Sequence, residues 1–163
     1  MNIPKRYSPI LVTLHWLTVI LMLGAGFLSE DEGDSPISIH MILGALLLII
    51  LLVRLAVRFS TSRPAPVDAG NPFFNKIGEL THLGLYLIAF FILGLGGVIA
   101  YSRNLFAYLL NPAANILEGG FITKIHHLGW LLALALIALH VGAALYHQVI
   151  LKDRIFSRMW YGK

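Results

Sequence analysis

The sequence predicts an all-α integral membrane protein, a four-helix transmembrane bundle with both termini in the cytoplasm. Three observations predict it. Of 163 residues, 58% are hydrophobic and 12% charged, whereas soluble domains carry about 45–50% apolar and about 25% charged residues. Four runs reach the length of about 20 apolar residues needed to cross a bilayer core. Lys and Arg gather on alternate connections between those runs. A chain this short has too little interior to hide such an apolar excess in one globule. A water-soluble enzyme, a disordered chain and a secreted disulfide scaffold are therefore excluded. The sequence has no Cys, so a disulfide, a thiolate metal site, an iron–sulfur cluster and covalent c-type haem attachment are excluded as well. A single domain over residues 1–163 is expected.

The first span covers residues 9–28 and carries no charge. Lys5 and Arg6 precede it, as in a signal peptide, but it is long for such a segment and holds His15-Trp16; it is read as a retained span. The second covers 37–59, with Arg54 and Arg58 in its last two turns. The third covers 80–101 and the fourth 125–151. None contains an internal Pro, which would remove a helix hydrogen bond. Residues 60–76 hold Pro64, Pro66, Gly70, Asn71 and Pro72 and read as an extended polar connector. Residues 105–116 are too short to span and read as a loop with an interfacial helical turn, interrupted at Asn111-Pro112.

The net charge of +4 does not point to nucleic acid, because no dense basic run with interleaved aromatics occurs. With the N-terminus in the cytoplasm, ten of the twelve Lys and Arg residues fall on the cytoplasmic side. The outer side keeps Arg103 and Lys124, beside an acidic loop of Glu30, Asp31, Glu32 and Asp34. This is the bias the positive-inside rule describes.

The chemistry sits in the histidines. All seven (His15, His40, His82, His126, His127, His140 and His147) lie in the spans or at their ends. An ionisable group in hydrocarbon is costly without a partner and marks a functional site. A lone His often just bridges two helices; seven, with three in register, point to cofactor ligation. His126, His140 and His147 are 14 and 7 residues apart, which sets them on one helix face and separates the first two by about 21 Å. A small ion held by both at once is excluded and two separate sites on one stripe are not; each such site would need a second ligand from another helix. Matching by depth pairs His40 with His126 and His15 with His140, and His15 matches His147 about as well. Two neutral imidazoles facing each other across a bundle are what a six-coordinate haem iron takes. Gly24, Gly26, Gly44, Ala45, Gly129 and Gly142 would leave room for a porphyrin, or simply let membrane helices pack closely. His127 lies off the stripe and receives no role.

With Tyr7-Ser8 ahead of His15-Trp16, His40 opening the second span, His82 opening the third, Tyr101-Ser102-Arg103 ending it and the fourth-span histidines, the chain resembles the bacterial cytochrome b561 family over nearly its whole length. Related di-haem cytochrome subunits of formate dehydrogenases and nickel–iron hydrogenases place two ligands 14 residues apart on their last helix. The resemblance thus implies two haem b groups. One is held by His40 and His126 near the outer face, the other by His15 and His140 near the cytoplasm, and His147 is released for another role. It also implies ubiquinone or another quinone near the cytoplasmic-side haem, where His82 and His147 are the candidate donors to a quinone carbonyl. Trp16 and Tyr146 are candidate walls for the ring or interfacial anchors.

The expected function is di-haem electron transfer from an outer-face donor to quinone, in a bacterial inner membrane. The resemblance extends to a superoxide oxidase, and Arg103 and Lys124 are then candidates to attract that anion, against the acidic outer loop. Plain interfacial anchoring explains these two residues equally well. Two other functions fit the same residues. One is a haem-bearing anchor for a periplasmic dehydrogenase or soluble cytochrome, docked through the acidic loop. The other is a haem-free, His-lined ion transporter, although such transporters show repeats and broken helices. No catalytic nucleophile–base pair and no phosphate-binding loop are visible, and membrane lipid is the remaining expected partner.

Overall fold

In a computed structural model of the chain, residues 4, 6–28, 37–111 and 120–161 are described. The acidic loop and the segment after Asn111 lie outside the described residues. Among the described residues five α-helices follow in order: α1 (Pro9–Phe27), α2 (Ile37–Ser60), α3 (Pro72–Ser102), α4 (Leu105–Leu110) and α5 (Phe121–Tyr146). A π-helical turn (His147–Leu151) continues α5, and a 3₁₀ segment (Ile155–Met159) follows. Among the described residues there is no strand, and α1, α2, α3 and α5 with its π turn are long and apolar enough to cross a membrane.

Local chemistry sets the ends. Pro9 opens α1 at a position where its missing N–H is no loss. The Leu28 N–H closes the helix on the Gly24 carbonyl at 3.0 Å. The third helix begins well before the apolar span expected at residue 80. Its cap is Asn71, whose side chain accepts from the Phe73 N–H at 2.8 Å, with Pro72 in the first turn. Asp68 Oδ1 accepts from the Gly70 N–H at 2.9 Å and from Asn75 Nδ2 at 2.8 Å, and Gly70 takes a positive φ of 72°. These bonds turn the last part of the expected connector into helix, so the extended stretch ends at Asn71. The fourth span is also not α-helical to its end. The His147 N–H is shared by the Ala143 and Ala144 carbonyls, and the chain widens into the π turn.

The helices pair as α1 with α2 and α3 with α5. The two pairs join through Leu47 and Leu51 of α2 and Ala89 of α3, with Leu21, Met22, Tyr86, Phe90 and Leu93 around them. A second cluster of Ile99, Ala100 and Leu105, against Ile37 and Met41, seats the short α4 on the start of α2. Large apolar side chains such as Ile20, Leu46, Leu87 and Leu132 are exposed along the four long helices, as lipid-facing surfaces require. At one end of the bundle the strap after α5 grips α1. The Tyr7 N–H donates to the Arg158 carbonyl at 3.2 Å, Trp16 Nε1 donates to the Met159 carbonyl at 3.1 Å, and Thr13 shares a 2.8 Å hydroxyl contact with Tyr161.

Candidate functional site

Five of the seven histidines gather in two clusters at opposite ends of the long helices. The first forms where α1 ends and α2 and α5 begin. His40 Nδ1 donates to the Ala25 carbonyl at 2.8 Å. A carbonyl only accepts, so the ring proton is on Nδ1 and Nε2 is left with a free lone pair. The His40 and His126 rings stand 5.9 Å apart, centre to centre, at 73°. His126 Nδ1 is buried without a hydrogen-bond partner. Gly96 of α3 lies against this ring, so that a Cβ there would meet His126 Cε1 at 3.3 Å. Glycine at this position makes room for the imidazole.

The second cluster forms where α1 and α3 begin and α2 and α5 end. The His15 and His140 rings are 6.4 Å apart at 67°. His82 packs on the same His140, with centres 4.9 Å apart at 76°. Arg54 Nη2 lies 3.0 Å from His15 Nδ1. A guanidinium has only donors, so His15 Nδ1 accepts. Arg54 and Arg58 both stand over the Tyr86 ring, at 5.6 and 5.9 Å, and Tyr86 Oη is buried without a partner. Among the described residues neither guanidinium meets a carboxylate. The cluster is therefore cationic, and it favours a ligand with acidic groups.

The other predicted residues divide between the two ends. His147 does not join the second cluster; its Nδ1 meets Asp153 Oδ2 at 2.6 Å, and its ring packs on Tyr146, 6.2 Å between centres. Trp16 is taken up by the strap, through its bond to Met159 and an edge contact with Trp160 at 5.9 Å. Arg103 closes α3, its N–H donating to the Ile99 carbonyl at 2.9 Å. Lys124 is exposed in the first turn of α5. Both belong to the end that holds His126. Of the small residues, Gly26 receives the Trp130 ring, and a Cβ on Gly129 would meet Ile92 Cγ1 at 3.0 Å, so these two serve helix packing.

Sequence reasoning missed Arg54, Tyr86, Gly96 and Asp153 as parts of these surroundings. Arg54 and Arg58 had been read only as topology signals, and Gly96 is one of three glycines between residues 94 and 97. Asp153 alone carried a signal, as a carboxylate six residues beyond His147.

The comparisons with known proteins agree with this architecture. The profile for prokaryotic cytochrome b561 matches residues 6–162. A protein of Yersinia pestis described as probable superoxide oxidase CybB is 27% identical, over 95% of this chain and 96% of its own. Cytochrome b561 homolog 2 of Escherichia coli (strain K12) is 29% identical, over 97% of this chain and 93% of its own. Homolog 1 of the same organism is 28% identical, over 95% and 97%. The chain thus belongs to the prokaryotic cytochrome b561 family, as an integral multi-pass membrane protein that carries haem b and transfers electrons.

Proposed function

We propose that this protein holds two haem b groups and moves electrons across a bacterial inner membrane, from a donor at the outer face to a quinone near the cytoplasmic face. The observation that carries this reading is the pairing of imidazoles from different helices at two levels. A metal–imidazole bond is about 2 Å, so two rings on opposite sides of one metal ion stand with centres about 6 Å apart. The pairs here stand at 5.9 and 6.4 Å, and both fit. His40 and His126 are the ligands of the outer group, and His15 and His140 those of the inner. When bound, haem b supplies reversible one-electron chemistry at a potential set by its ligands and surroundings.

The chain's own residues prepare the sites. The Ala25 carbonyl fixes His40 in the tautomer that offers Nε2. Gly96 leaves space for the His126 ring. Arg54 and Arg58 supply positive charge that suits the two acidic propionates of a haem. His15 offers Nε2 to iron only when its proton moves to Nδ1, and Arg54 then has to leave that nitrogen.

The basic residues put the end that holds His140 in the cytoplasm. There His147 and His82 are the proposed donors to a quinone oxygen. Asp153 takes the Nδ1–H of His147 at 2.6 Å, so that Nε2 faces the task of exchanging a proton. At the outer end Arg103 and Lys124 would draw in an anionic donor, and the Yersinia relative's description makes superoxide the proposed one. In that reaction two superoxide anions each lose one electron to become dioxygen. One quinone takes up both electrons and two protons to become quinol. Family membership sets aside the haem-free transporter.

The test is the haem content and reduced spectrum of the purified protein. Two b-type haems per chain support the reading. One haem, or a pair of haems that survives loss of any of the four histidines, contradicts it.

A further inference from the structure

At the end of the bundle near His147, three arginines from distant parts of the sequence line one cleft of about 490 Å³. Arg6 comes from ahead of α1, and Arg154 and Arg158 from the strap after α5, with Pro64 and Ala65 of the α2–α3 connection in the same lining. Volumes of this order hold small ligands.

The cleft is built by the fold. The Tyr7 N–H donates to the Arg158 carbonyl at 3.2 Å, and Arg158 Nη1 donates to the Ala65 carbonyl at 2.9 Å. These two bonds tie all three chain segments together. Ser157 Oγ donates to the Arg154 carbonyl at 2.7 Å. Lys152 and Arg154 both take left-handed backbone conformations, at φ 56° and 57°, which non-glycine residues adopt at a cost. This strained turn gives Asp153 to His147 and Arg154 to the cleft.

The electrostatics favour an anion. The one carboxylate in the wall, Asp153, has Oδ2 engaged by His147. Among the described residues none of the three arginines has an ion-pair partner. Positive charge is in excess even with Asp153 ionised. Planar guanidinium forks match the tetrahedral oxygens of phosphate. The depth favours a lipid source, because Arg6 lies just before α1 and Arg154 just after the π turn, where the apolar spans give way to headgroups.

We propose that the cleft between Arg6, Arg154 and Arg158 binds a phosphate-bearing anion, with the headgroup of an anionic phospholipid as its source in the membrane. This is independent of the haem ligands, and it stands or falls by itself.

The test uses the full-length, haem-loaded protein, delipidated in detergent and followed by native mass spectrometry. It is offered phosphatidylglycerol, phosphatidylcholine or inorganic phosphate. One phosphatidylglycerol is expected to be retained, at least tenfold in preference to phosphatidylcholine. Arg6→Gln/Arg154→Gln is expected to weaken retention by about tenfold or more. Arg63→Gln, at the same end but outside the cleft lining, is expected to leave it unchanged. If the Gln pair fails to fold, Arg6→Lys/Arg154→Lys serves instead, with an intermediate loss. Binding of inorganic phosphate with the same variant pattern supports the site and assigns a soluble source. Equal loss in Arg63→Gln, or no phosphate-bearing anion bound above the phosphatidylcholine level, overturns the proposal.

Discussion

Arg54 Nη2 reaches His15 Nδ1 at 3.0 Å, across 39 positions of sequence. The contact sets a fixed positive charge, also held over the Tyr86 ring at 5.6 Å, beside a proposed iron ligand, and haem binding shifts Arg54 off the nitrogen without removing that charge from the bundle. A cation near a redox centre favours the reduced form, since reduction removes one positive charge from the centre. Arg54→Met is expected to retain both haems and to lower the inner midpoint potential by some tens of millivolts. A potentiometric titration in which both potentials stay put would show that Arg54 does not act on that centre.

Gly96 gives a steric prediction. A Cβ there meets His126 Cε1 at 3.3 Å, so alanine must push the ring by a few tenths of an ångström and a larger side chain must displace it. Gly96→Ala is expected to cost roughly 1–3 kcal/mol as overpacking. Gly96→Leu is expected to lose the outer haem and keep the inner one. Absorbance at reduced b-type bands, against protein concentration, distinguishes the two outcomes.

The His147–Asp153 contact at 2.6 Å bears on proton delivery. Asp153→Asn leaves a neutral partner that holds the ring less firmly in one tautomer. Electron entry at the outer haem is expected to stay unchanged, while quinol formation slows by about tenfold. Stopped-flow traces that follow haem reduction and quinol appearance separately would read this split. Equal slowing of both would mean that Asp153 acts on the fold and not on the proton.

The cap of α3 is acid-sensitive. Hydrogen bonds from Asn75 and the Gly70 N–H hold the Asp68 carboxyl below its ordinary range. The folded form therefore binds its proton less readily than the unfolded one. The stabilisation is full above the ordinary carboxylate range and is lost as the pH falls from that range through the lower pKa of the folded form. Lower protection against hydrogen exchange, after allowance for the intrinsic pH dependence of amide exchange, is expected over residues 73–76 once the pH falls below the ordinary carboxylate range, and Asp68→Asn is expected to remove that change.

The four long helices were legible because lipid imposes uninterrupted apolar runs, and the 14-residue spacing of His126 and His140 was enough to set them at the two different clusters. The same signal hid the start of α3. Asn75, Lys76 and Glu79 make its first turns polar, so hydropathy began the span at residue 80 while the Asn71 cap and Pro72 began the helix earlier. The π turn at His147 has no residue-type signature. The Arg54–His15 and Gly96–His126 contacts cross between helices, and no local pattern encodes them. The pairing of His15 with His140, which depth alone left level with His147, needed a resemblance to choose between them; in the structure the His15 ring packs on His140, and His147 turns to Asp153.

Haem stoichiometry across the histidine variants tests the central claim most directly. His40→Ala and His126→Ala are each expected to keep one haem with the inner spectrum and potential. His15→Ala and His140→Ala are each expected to keep one with the outer, and His147→Ala to keep both. A His147→Ala protein with a single haem, beside a His140→Ala protein with two, would contradict the account.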